Sequence, residues 1–393
     1  MTKPAPVYLD HAATTPVRPE VLEAMLPYLG AEAFGNPSSA HRFGRTARAG
    51  LEQARREVAA ALGCDPNQVV FTSGGTEADN LAIVGGALAA RARGAKMRAA
   101  VDCSAHKAVL AAAHAVAHLG GEEELLPVDA QGQIDMAALD AALARKPGVV
   151  SVMWVNNETG AVQDIVAVGR RCEAAGTILH VDAVQAFGKF PIVFRDLPVA
   201  MLTISGHKVG APKGIAALIV RDRHVTEAII HGGGQQFGIR PGTENVAGAV
   251  ALGRAARLAA AEQAAESQTL TALRDDLWHK LSAAVPDLMR HAAGGAHAPH
   301  ILSISVPGAD SEALLMHLDL QGVCASSGSA CTTGAVEPSH VMMAMGVPRD
   351  VALGALRFSL GHGSTSADVA RTAEVFPKVV EKVRKLSVVL GRA

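Results

Sequence analysis

The sequence has almost no net charge: 36 Lys and Arg stand against 37 Asp and Glu, for a formal charge of -1. Without a global field there is no electrostatic footprint for nucleic acid or for an anionic membrane, so a charged ligand must be met by a local site. Long apolar runs are missing too. None reaches the ~18 residues needed to cross a bilayer, and the opening stretch Met1-Thr2-Lys3-Pro4-Ala5-Pro6 lacks an apolar signal core. A cytoplasmic protein that engages neither nucleic acid nor membrane is the expectation. Cysteine is sparse as well: Cys64, Cys103, Cys172, Cys324 and Cys331 make five, an odd and scattered set. That argues against a disulfide framework and for a reducing compartment. Cys324 and Cys331 form the one close pair, and their spacing matches no common zinc pattern. There is no internal repeat, low-complexity tail or long linker.

Hydrophobic residues are plentiful, at 49% of 393, with 19% charged. This is the composition of a globular chain with a sizeable core, and its length suggests about two domains. Residues 16–260 read as a large domain and 261–393 as a smaller α+β domain, with 1–15 a segment packing on the smaller one.

From Val69 the chain settles into strand, polar turn, helix. Val69-Val70-Phe71-Thr72 is followed by apolar runs at 99–101, 149–155, 178–181, 201–204 and 215–220. Short continuous apolar strands alternating with helices predict an α/β fold with a mixed, mostly parallel sheet covered on both faces. An alanine-rich stretch from about Asn245 to Ala284 predicts a long helix leading out of the first domain. Strands at 301–306 and 355–360 and a helix at 311–320 are expected beyond it.

Ligands of such sheets sit at the carboxyl ends of the strands. The residues there are polar each time: Ser73-Gly74-Gly75-Thr76, Asn156-Asn157-Glu158-Thr159, Asp182-Ala183-Val184-Gln185 and Ser205-Gly206-His207-Lys208. Gly74-Gly75-Thr76 between strand and helix offers backbone N–H groups and a helix dipole to an anion such as phosphate, although glycines in such turns often serve geometry alone. Lys208 is either a solvated surface charge or a Schiff-base lysine. Asp182 is either a helix N-cap or the carboxylate partner of a protonated pyridine nitrogen. His106 stands where it could stack on a ring or shuttle a proton. Arg357, a cation inside a strand pattern, would grip a carboxylate: a substrate's, or that of a structural Asp or Glu.

Other constellations carry less. His114 and His118 lack the Glu of a H-E-x-x-H site. His291, His297 and His300 lie in a Gly/Ala/Pro loop and read as solvated. The arginines from Arg45 to Arg56 read as a solvated helix face.

In Ser326-Ser327-Gly328-Ser329-Ala330-Cys331-Thr332-Thr333-Gly334, every residue except Ala330 and Cys331 is Gly, Ser or Thr. Such a stretch reads as a mobile loop. Its thiol is either a swinging nucleophile or an incidental small residue.

These motifs, in this order and together with Gly35-Asn36-Pro37-Ser38-Ser39 and Gly242-Thr243-Glu244-Asn245, resemble the cysteine desulfurases of the NifS/IscS type. That group lies in the class V aminotransferase family of fold-type I pyridoxal-phosphate enzymes, and the resemblance runs from Tyr8 to Gly361. It implies that Lys208 holds pyridoxal 5'-phosphate covalently, that Asp182 pairs its ring nitrogen, Gln185 its ring oxygen, and that His106 stacks on the ring. Gly75, Thr76, Ser205 and His207 would bind the phosphate, joined by Thr243 from the other subunit of a homodimer. Asn36, Asn157 and Arg357 would hold the carboxylate of L-cysteine, with Asn157 a cofactor contact as well. Cys331 would take the substrate sulfur as a persulfide and pass it to a sulfur-acceptor or iron–sulfur scaffold protein, serving iron–sulfur cluster assembly, with nitrogenase assembly one route it could serve. No resident metal is implied, only a transient contact of Cys331 with a cluster. A selenocysteine lyase, a class V transaminase and a non-catalytic docking scaffold are the rival readings. Two departures from the family pattern stand near the cofactor residues. His11 follows Asp10 where relatives commonly carry Asn or another small polar residue, and Ala105 precedes the stacking histidine where Glu is common.

Overall fold

The computed structural model describes residues 6–327 and 337–389. In chain order it begins with β1 (Val7–Tyr8), α1 (Pro19–Met25) and α2 (Arg42–Leu62). The strand and helix rhythm follows: β2 (Val69–Thr72), α3 (Gly75–Ala92), β3 (Arg98–Asp102), α4 (Lys107–His118), β4 (Glu122–Leu126), α5 (Met136–Ala144) and β5 (Val149–Met153). Next come α6 (Ile165–Ala175), β6 (Ile178–Asp182), β7 (Met201–Ser205), β8 (Ala216–Val220) and the long α7 (Val246–Ala284). The remainder is β9 (Met289–Arg290), β10 (Ile301–Ser305), α8 (Ser311–Leu320), β11 (Val323–Cys324), α9 (His340–Ala344), α10 (Arg349–Ala352), β12 (Ala355–Ser359) and α11 (Ser366–Val389).

Seven strands form one sheet in the order β2-β8-β7-β6-β5-β3-β4. β8 runs against both its neighbours and every other pairing is parallel. The carboxyl ends of β2, β3, β5, β6 and β7 therefore share one edge, and the polar turns read from the sequence gather there. Strands β5, β6, β7 and β8 are buried along most or all of their length, as expected for a sheet covered on both faces by helices.

α7 starts where Asn245 caps it, its side chain accepting from Gly248 N at 2.9 Å. Its first half, with Leu252, Ala255 and Ala256, packs into the core beneath the large sheet. Its second half, with Leu270, Leu277 and Leu281, packs into another core with Leu302, Ile304, Phe358 and Phe376. Val7 and Leu9 join this second core, and β1 pairs in parallel with β11. The N-terminal strand thus reaches the far end of the chain and returns through Asp10 to Thr15 to the edge of the large sheet. One expectation fails on α2: Arg55 is buried, donating to Val69 O and Gln236 Oε1, because its helix face packs on β2 and not on water. Among the described residues no helix is long and apolar enough to cross a membrane.

Candidate active site

The turns at the strand ends are built by their own side chains. Asp102 closes β3: its Oδ1 accepts from Ser104 N at 2.8 Å and its Oδ2 from Met153 N at 3.2 Å, tying β3 to β5. Asn156 accepts from the backbone N–H of Glu158 and Thr159 and donates to Ser104 O at 2.9 Å. The turn that carries His106 is thereby locked to the turn that carries Asn157. His106 caps α4, its Nδ1 accepting from Ala108 N at 3.1 Å, which leaves the proton of the neutral ring on Nε2. Burial first, then the Lys208 charge, lowers its pKa.

Lys208 follows β7 in a short turn, and its Nζ donates to Ala12 O at 2.5 Å and Ala13 O at 2.7 Å. Burial and the nearby Arg357 guanidinium pull the amine down to about 8, against the opposing pull of Asp182 and Asp10. Asp182, the last residue of β6, accepts from Val184 N at 2.9 Å through Oδ1. Burial raises its pKa, and a cation placed against its other oxygen would reverse that shift. Gln185 donates from Nε2 to Ala12 O at 2.9 Å.

Ser205 ends β7 with its Oγ buried and without a partner among the described residues. The N-terminus of α3 closes onto it: a Cβ on Gly75 would stand 3.3 Å from Val184 Cγ2 and 3.7 Å from Ser205 Cβ. No side chain caps this 18-residue helix, so its first N–H groups point free beside the Ser205 hydroxyl. Thr76 is exposed in the first turn. His207 sets its Nδ1 3.2 Å from Thr14 Oγ1, and burial with Lys208 and Lys213 lowers its pKa to about 4. An unsatisfied buried hydroxyl, an uncapped helix start, a depressed amine and a strand-end carboxylate at one sheet edge suit a phosphorylated pyridine aldehyde.

The remaining expected residues are placed differently. Arg357 is buried on β12 and already carries an ion pair: Nη2 lies 2.8 Å from Asp10 Oδ1, and Nη1 donates to Asn157 O at 2.7 Å. Its Nε has no partner among the described residues. Asn36 is exposed, and its Oδ1 accepts from Ser38 N in a self-contained turn. Thr243 lies on an exposed loop before α7, and among the described residues no hydrogen bond brings it to Lys208. Cys331 lies outside the described residues.

Composition alone misplaces the histidine loop. His291 and His300 are buried, not solvated: His291 follows β9 with its Nε2 2.8 Å from Ser305 Oγ, and Ala298 to Ile301 run straight into the central strand of the three-stranded sheet, Leu360 N donating to His300 O at 2.8 Å. Asp10 and the carbonyls of Ala12 and Ala13 were likewise not expected at the site; their only sequence signal is the turn after β1.

Residues 7–372 match the family model described as "Aminotransferase class-V". The chain belongs to the class-V aminotransferase family. It is 41% identical over 381 residues to a "Cysteine desulfurase IscS" of Dictyoglomus turgidum, covering 97% of this chain and 96% of the relative. It is 44% identical over 381 residues to a "Cysteine desulfurase" of Trichormus azollae, covering 97% and 94%. A solved NifS-like protein superposes with a TM-score of 0.87 at 32% identity over 98% of this chain and 99% of that one. The α/β architecture is therefore that of a fold-type I pyridoxal-phosphate enzyme, and the cofactor of this class-V family is pyridoxal phosphate.

Proposed function

We propose that the protein is a cysteine desulfurase that converts L-cysteine to L-alanine and delivers the sulfur, as a persulfide on Cys331, to an acceptor serving iron–sulfur cluster assembly. A homodimer and a cytoplasmic setting belong to this reading. The observation that carries it is the Lys208 amine, depressed to about 8, in the turn that follows Ser205, whose buried hydroxyl has no partner among the described residues, in a chain 41% to 44% identical to curated cysteine desulfurases.

Pyridoxal phosphate, when bound, supplies an electron sink for the bond-breaking at the substrate carbon. Ser205 Oγ, His207 and the N–H groups at Gly75 and Thr76 would hold its phosphate, and Asp182 its ring nitrogen. His106 would cover the ring with a neutral imidazole. Lys208, partly neutral near pH 7 to 8, can act as a nucleophile and can then take and return a proton at Nζ. Arg357 would offer the substrate carboxylate the guanidinium edge that Asp10 leaves open, with Asn36 and Asn157 as further polar contacts. The Cys331 thiolate would attack the cysteine sulfur, forming S–S while the C–S bond breaks. The C–S electron pair stays with carbon, which takes a proton and departs as alanine.

Incubation with L-cysteine should give alanine and sulfane sulfur together, with one extra sulfur on Cys331 by mass spectrometry. Cys331→Ser should lose sulfur release. Full sulfur release from Cys331→Ser would sink the persulfide step, and turnover restricted to selenocysteine or to amino-group transfer would replace the reading by a lyase or a transaminase.

A further inference from the structure

We infer that His300 is a positioning residue: it fixes the Gln185 amide so that its nitrogen, not its oxygen, faces the cofactor side of the recess beside Lys208. This rests on the reading of that recess as a pyridoxal phosphate site with Gln185 toward the ring oxygen.

The argument begins at the Ala12 carbonyl, which can only accept. It takes hydrogen bonds from Lys208 Nζ at 2.5 Å and Gln185 Nε2 at 2.9 Å, so the NH2 end of the amide must be the end nearest Lys208. Gln185 Oε1 then faces His300 Nε2 at 3.1 Å, and that ring nitrogen must carry a proton to donate. His300 is completely buried and its Nδ1 has no partner among the described residues. Burial, helped by the charges of Lys189 and Arg357 and by His297 and His11, keeps the ring neutral, so a single proton is available. The Gln185 contact decides which nitrogen holds it.

The flipped arrangement loses twice. It would turn the amide oxygen toward the Ala12 carbonyl oxygen, and it would leave an N–H at His300 Nδ1 buried without an acceptor. One orientation survives, with one N–H of Gln185 on Ala12 and the other free for an acceptor on the ring. The His300 backbone is itself held from the second core, through Leu360 N donating to the His300 carbonyl oxygen at 2.8 Å. The end of β12 thereby reaches an amide on the large sheet, on the wall of a cavity shared by His11, Gln185, Lys208 and His300.

The test uses the full-length, cofactor-loaded enzyme and four variants. His300→Leu and His300→Met remove the donor at similar size, His300→Gln restores an N–H at about the position of Nε2, and Gln185→Ala removes the amide. Two readouts are taken: the affinity for pyridoxal phosphate, and the pH midpoint of the visible absorption band of the bound cofactor. His300→Leu and His300→Met should bind the cofactor about tenfold more weakly, with the midpoint moved in the direction seen for Gln185→Ala, and His300→Gln should recover both. Wild-type affinity and midpoint in either donorless variant, while Gln185→Ala changes both, would overturn the role of His300 alone. No change in Gln185→Ala would overturn the placement of Gln185 and the inference with it. If neither donorless variant folds, the imidazole is a structural group and the inference falls.

Discussion

Two sets of polar side chains lie two residues apart on the same strands and are treated in opposite ways. His180 on β6 is completely buried, its Nδ1 2.8 Å from Ser151 Oγ and its Nε2 2.9 Å from Thr203 Oγ1. Two residues further along the same two strands, Asp182 and Ser205 face the same side of the sheet. There, among the described residues, Asp182 makes one side-chain hydrogen bond, to its own turn, and the Ser205 hydroxyl makes none. The inner set is satisfied by the fold and needs nothing from outside. The outer set is desolvated and left open, a state that costs stability unless a ligand completes it. On the proposed function, the contrast separates polar groups kept for the sheet from polar groups that would serve a cofactor, and each prediction below strains it.

The largest effect should come from Lys208→Ala. It removes the amine expected to link to the cofactor, so the visible band of the bound cofactor should vanish and alanine formation should fall by about a thousandfold or more. Thermal stability of the cofactor-free protein should stay close to wild type, because among the described residues Lys208 donates only to the two carbonyls of Ala12 and Ala13. A variant that keeps the band would remove Lys208 from the chemistry.

Acid should strike next, through the inner set and its buried relatives. Burial lowers His180 to about 3 and His11, His207, His291 and His297 to about 4, from an ordinary 6.5. Below 6.5 the unfolded chain binds protons that the folded chain refuses. Stability is therefore complete above pH 6.5 and declines as pH falls toward 4, at no more than about 1.4 kcal/mol per pH unit for each fully buried histidine and less for the half-buried His207, which solvent screens. Denaturant midpoints taken at pH 7, 6 and 5 should drop steeply, and a flat series would show that these rings are hydrated or charged in the fold.

A matched pair of hydroxyl deletions tests the contrast most directly. Thr203→Val strips His180 Nε2 of its partner inside the sheet, and should cost about 1 to 3 kcal/mol of stability. Ser205→Ala removes a hydroxyl that has no partner among the described residues, so the cofactor-free protein should be as stable as wild type or slightly more so, while affinity for pyridoxal phosphate weakens about tenfold. Equal destabilisation by both would mean that Ser205 is structural after all.

The sequence shows part of this arrangement and hides the rest for physical reasons. Strands buried on both faces are unbroken apolar runs, so their polar carboxyl ends stand out, and Asp182, Ser205 and Lys208 can be picked from one dimension. Helices with a strong cap are equally plain: α7 begins one residue after Asn245, and α8 spans Ser311–Leu320 as its pattern predicts. β4 is different. Its Glu122-Glu123-Glu124 start looks like a loop, but as an edge strand it needs one apolar face at most, and Arg98 and Arg145 pair with its carboxylates. Contacts between distant segments leave no local pattern at all. Asp10 and Arg357 are 347 positions apart, and His300 and Gln185 are 115 apart.

The smallest predicted effect concerns that first long-range pair. Asp10 lies 2.8 Å from the Arg357 guanidinium, a partly exposed carboxylate against a buried cation. If Arg357 receives the substrate carboxylate, Asp10 competes with the substrate for its charge while Asn157 O holds the other nitrogen in place. Asp10→Asn keeps an oxygen at the same point and removes the competition. A partly solvated pair of this kind is worth about 0.5 to 1 kcal/mol, so KM for cysteine should fall about two- to fivefold with kcat little changed. The opposite outcome, a higher KM, would mean that the Asp10 charge orients the guanidinium more than it screens it. Arg357 would then belong with the His180 set, a cation satisfied by the fold, and the carboxylate grip would have to be sought elsewhere at the strand ends.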